Sequence, residues 1–137
     1  MRKWLSQIHS ESGSAVVEFV LLAIPLFLPI IIFMASFADV SDKEAIARTL
    51  ARESVRGFVL SHGDISAYSA AHQIASQGAL ALGLNSDEIS SMKVSIRCYS
   101  WPCITPRNRI SLTITFYSRT SRREISATSE EVLSPWV

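Results

Sequence analysis

Glu18 is the residue with the most chemical consequence in this chain. It is the only charge in the run from Ser14 to Ala38, SAVVEFVLLAIPLFLPIIIFMASFA. A carboxylate at the centre of a membrane helix costs about 3 kcal/mol by insertion scales. Near one end it costs less, and it can either reach back to the interface or be neutralised by a cation. Gly13 stands immediately before the run, Glu18 is the fifth residue after it, and Phe19 follows. The second candidate is the pair Cys98 and Cys103 in Cys-Tyr-Ser-Trp-Pro-Cys, the only cysteines of the chain. Two thiols are too few for a four-thiolate zinc site, and C-x4-C is not the C-x-x-C of a redox motif. In an oxidising compartment they would close a short ring. By the loop model that ring removes about 2 kcal/mol of chain entropy and holds Tyr99 and Trp101 at a loop tip. A free buried thiol pair, or bonds to a partner, are the alternatives. His9, His62 and His72 lie far apart, and no H-E-x-x-H, G-x-S-x-G or phosphate-binding glycine loop occurs. These residues make no catalytic set, so the chain reads as a non-enzyme without a cofactor or metal.

The element that positions Glu18 is a single long helix. Val16–Ala38 would measure about 34 Å as a helix, enough to span a hydrocarbon core of about 30 Å with slight tilt. Pro25 and Pro29 would kink a soluble helix, whereas membrane helices tolerate proline when neighbours satisfy the freed carbonyls. Arg2 and Lys3 precede the segment, and Asp39 and Asp42 come before Lys43 on the far side. The positive-inside rule therefore places the N-terminus in the cytoplasm and the C-terminal bulk outside. A secretory signal cut after Ala38 would instead release a soluble protein. Against this stand an apolar run longer than the usual core of about 7–15 residues and the charge within it.

The stretch Gly13-Ser14-Ala15-Val16-Val17-Glu18-Phe19 resembles the leader junction of the type IV pilin-like families. It looks most like the TadE-like pseudopilins of tight-adherence (Tad/Flp) systems. The resemblance implies a cytoplasmic leader over residues 1–13, cut by a membrane prepilin peptidase between Gly13 and Ser14. It also implies assembly roles for Glu18 and Phe19. Cutting would create an α-amine on Ser14, four residues from Glu18 and on the same helix face. The amine could pair with Glu18 of its own chain or of a neighbour, and such a pair is worth more in a low dielectric than on a wet surface.

Beyond the apolar run, residues 39–137 read as one small extracytoplasmic domain. Val40, Ile46, Ala47, Leu50, Ala51 and Phe58 recur at helical spacing, with Glu44 and Arg48 as an i,i+4 pair, so the first helix is expected to continue to about Gly57. His62-Gly63-Asp64 reads as a turn with Asp64 as N-cap. A second helix follows over 65–82, with Tyr68, Ala71, Ile74, Ala75, Ala79 and Leu82 on one side, ended by Gly83 in a left-handed conformation. Asn85-Ser86-Asp87 reads as a loop. The period then changes to two. Met92, Val94, Ile96 and Cys98 predict one strand, Ile110, Leu112, Ile114 and Phe116 a second, and residues 124–128 a weaker third. Short connections favour an antiparallel meander with one face on the helices. The fold class is thus α+β: a transmembrane helix over 14–38 continuing into an amphipathic helix, a second helix, and a three-stranded antiparallel sheet with a disulfide-closed loop. The cysteine pair and the tail SEEVLSPW ending at Trp136 also look TadE-like.

Net charge is +1, which argues against a nucleic-acid binder. Residues 89–123 nevertheless hold seven Lys and Arg and no acid, which leaves contact with lipid heads, wall polymers or DNA as a minor alternative to a plain solvated face. The resemblance implies a minor pseudopilin that takes part in assembling a tight-adherence pilus or related secretion apparatus. Its partners would be the prepilin peptidase, other pilin or pseudopilin subunits, Tad membrane proteins and the lipid bilayer. The alternatives are the soluble secreted protein and a single-pass membrane protein whose outer domain binds a partner.

Overall fold

The computed structural model describes residues 12–136, so the expected leader falls largely outside the described residues. Two compact units divide the chain, one ending at Ser36 and one spanning Phe37–Val137. Helix α1 covers Ser12–Val59, with Pro25 and Pro29 inside it. Over Val16–Ala38 every side chain except that of Ala23 is exposed. An 18-residue window there has a mean hydropathy of 2.7 and is 0% buried, so this helix is long and apolar enough to cross a membrane.

The second unit is α+β. From Phe37 onward α1 buries Ala47, Leu50, Ala51, Val55 and Phe58, a spacing of three or four that keeps them on one face. Helix α2, Asp64–Ala81, buries Ala67, Ala71, Ala75 and Ala79, a row of small side chains that lets backbones approach. Two glycines mark how near α1 and α2 come. A Cβ at Gly57 would run into Ile74 Cδ1, and one at Gly78 would meet Leu50 Cδ2 at 2.7 Å. The Phe58 and Tyr68 rings meet edge to face with centroids 5.2 Å apart. Leu82, expected on the apolar side of α2, is 40% exposed, because the helix has ended before it. Gly83 has φ +79°. The amide of Leu84 bonds the Ala79 carbonyl and that of Gly83 the Leu80 carbonyl, the paired bonds of a Schellman ending.

Residues 85–87, expected as a loop, instead start a short helix, α3, Ser86–Ser91. Asn85 is its N-cap, accepting from the Glu88 amide while the Glu88 carboxylate accepts from the Asn85 amide. This reciprocal capping box satisfies two donors that a bare helix start would leave open. The strands are β1 Lys93–Cys98, β2 Arg109–Ser118 and β3 Arg123–Val132, in the order β1-β2-β3 with both pairs antiparallel. The expected meander is present. β3 is twice as long as its sequence pattern suggested, because pairing with β2 extends it through Ser129, Glu130 and Glu131, which carry no apolar alternation. Inward, Ile110, Leu112, Ile114, Phe116 and Ile125 complete the core. Outward, Thr113 and Thr128 bond hydroxyl to hydroxyl at 2.8 Å, and Thr115 and Ser126 at 3.2 Å.

Candidate functional site

Two places carry the residues singled out from the sequence. The first is the start of α1. Gly13, Ser14, Glu18 and Phe19 all lie within α1, Ser12–Val59. Ser14 and Glu18 are one turn apart, on the same side of the helix. Phe19 is 70% exposed among apolar neighbours that are themselves exposed, so this stretch presents a continuous oily surface broken by one carboxylate.

The second place is the loop between β1 and β2. Cys98 and Cys103 form a disulfide, with an S–S distance of 2.07 Å and Cα atoms 5.4 Å apart. It ties the end of β1 to a buried point, since Cys103 is 2% exposed and the Tyr68 hydroxyl sits 3.7 Å from its sulfur. Tyr99 and Trp101, expected at the loop tip, are 90% and 76% exposed.

Two residues that the sequence reading missed hold this loop. Asp64 is not the N-cap of α2; that position is Gly63, which has no side-chain cap. Instead the Asp64 carboxylate accepts the amides of Cys103 at 3.0 Å and Ile104 at 2.8 Å. Two adjacent amides converging on one carboxylate make charge-assisted bonds that dock the loop onto the start of α2. Asn108, 3% exposed, fills the inside of the loop. Its Nδ2 donates to the carbonyls of Ser100 and Cys103, both at 2.8 Å, and its Oδ1 accepts the Ser100 amide at 3.0 Å. Its backbone takes part as well, donating to the Thr105 carbonyl and accepting from Leu133. The only advance hint of either role was residue type: a short amide or carboxylate beside a turn readily bonds nearby backbone.

A third polar feature joins distant segments. Lys43 Nζ meets Glu88 Oε2 at 2.9 Å, with Glu88 0% and Lys43 15% exposed. The expected Glu44–Arg48 pair is present at 3.5 Å but exposed, so it adds little stability. Of the basic residues between 89 and 123, Arg119 pairs with Asp87 at 3.0 Å, while Lys93 and Arg97 stand on the outward face of β1. Among the described residues no group of three or more His, Cys, Asp or Glu is placed to hold a metal.

No family model matches the sequence, and no curated protein and no solved structure is significantly similar to it.

Proposed function

We propose that this chain is a membrane-held, TadE-like minor pseudopilin. In this reading it is cut between Gly13 and Ser14 by a prepilin peptidase and takes part in assembling a tight-adherence pilus or a related secretion apparatus. The observation that carries the reading is a single carboxylate, Glu18, one turn beyond a Gly-Ser bond at the head of an exposed apolar helix. A freshly exposed Ser14 amine is the natural counter-charge for that carboxylate, within the chain or across to a neighbouring subunit, and burial in lipid strengthens the attraction. The small disulfide-bearing α+β unit that follows suits the outer, oxidising side of the membrane. Helix α1 crosses the Ala38–Asp39 bond without a break, which favours a retained span over release by signal peptidase at that bond.

N-terminal sequencing of the protein recovered from cells that carry a prepilin peptidase tests the reading. Ser14 as first residue supports it. Asp39 would mean a secreted protein, and Met1 an unprocessed membrane protein. With processing established, Glu18→Ala should leave the chain anchored but lower the number of pili. Normal piliation of that variant would remove the assembly role.

A further inference from the structure

The sheet has two open edges, and they carry opposite charge. β1 and β3 each pair on one side only, with β2. The exposed face of β1 bears Lys93 and Arg97, and that of β3 bears Glu124 and Glu130. Among the described residues none of the four enters an ion pair within the chain. The registers put them in shared rows. Arg97 faces Ser111, which faces Glu130; Ser95 faces Thr113, which faces Thr128; Lys93 faces Thr115, which faces Ser126. Because both edge strands are antiparallel to β2, they run parallel to each other.

We infer that copies of this chain join edge to edge, β3 of one copy adding in parallel to β1 of the next. If each row simply continues across the gap of about 4.8 Å between strands, Glu130 lies opposite Arg97 of the next copy and Thr128 opposite Ser95. Glu124 then lies diagonal to Lys93. On the inner face, the half-buried Val94 and Ile96 of the arriving β1 cover Ala127 and Ser129. Unpaired edges are templates for another strand, and edge charge normally discourages that. Here it discriminates: two β1 edges repel and two β3 edges repel, while the mixed pair attracts. A head-to-tail contact of this kind is not self-complementary, so it builds rings or lines of subunits rather than two-fold dimers. The inference deepens the assembly reading and rests on it for copies held the same way up in one membrane.

The test uses two differently tagged full-length chains, Ser95→Cys and Thr128→Cys, co-expressed in bacterial membranes. The expected result is a disulfide-linked mixed dimer that forms only when both variants are present. Adding Arg97→Glu to the Ser95→Cys chain should lower its yield roughly five-fold, and adding Glu130→Arg to the Thr128→Cys chain should restore it. The four positions are exposed, so the substitutions leave the core untouched, and Thr128→Cys gives up only the surface bond to Thr113. No mixed product, or 95–95 and 128–128 products in equal yield, would overturn the contact. The processing test reads separately. A chain that starts at Ser14 but gives no 95–128 product keeps the assembly reading and loses this contact. A 95–128 product from a chain that starts at Met1 does the reverse.

Discussion

Between β1 and β2 the chain makes a long excursion that contains no regular structure, and single polar side chains give it its shape. Asn108 satisfies two carbonyls and one amide from inside. Asn108→Ala should therefore cost about 2–3 kcal/mol, since it strands buried backbone groups as well as losing bonds. The near-isosteric Asn108→Asp should do no better. It has no N–H to offer the Ser100 and Cys103 carbonyls and sets a negative charge beside them. Urea unfolding of the full chain in detergent micelles checks both. Lys43 and Glu88 give a second prediction. Lys43→Met leaves a fully buried carboxylate uncompensated and should cost about 3 kcal/mol. Adding Glu88→Gln should recover part of that loss, because the amide still accepts from the Asn85 backbone while no buried charge remains. A double-mutant cycle on the unfolding midpoint measures the recovery.

Elements pack closely where side chains are small. The two glycines between α1 and α2 should respond differently to alanine, although both lie inside helices where alanine is intrinsically favoured by about 0.5–1 kcal/mol. At Gly57 the obstacle is the tip of half-buried Ile74, which can turn aside, so Gly57→Ala should be close to neutral. At Gly78 it is Leu50, 2% exposed, whose displacement disturbs the core, so Gly78→Ala should cost about 1–3 kcal/mol. Thermal melts of the two variants side by side decide this. Much at this scale was legible beforehand. Strict alternation announced β1 and β2, Gly83 marked the end of α2, and the cysteine pair closed the loop it brackets. The rest depends on contacts that periodicity does not carry. β3 is held by register rather than by its own apolar residues. Helix α3 hides in a short polar stretch whose signal was Asn85 three residues before Glu88. Asp64 sits 39 residues from the amide it binds, and Lys43 sits 45 from Glu88.

At the scale of the whole molecule, the exposed apolar surface of α1 is too long and too continuous to leave in water. An alkaline carbonate wash of membranes should therefore leave the full chain in the pellet, and only detergent should release it. Recovery in the wash would count against a spanning helix. The two prolines in that helix have a consequence of their own. Each ring removes an amide, so the carbonyls of Leu21 and Pro25 lose their helical partners. At 100° per residue, Glu18, Leu21, Pro25 and Pro29 fall within a narrow angular sector, and Ser36 lies almost directly in line with Glu18 along the axis. Glu18 and the two carbonyls freed by proline thus lie along one side of the helix. In a bilayer, acyl chains would solvate every other side of the cylinder equally well, so this line would favour one roll about the axis, with that flank toward protein and away from fatty tails.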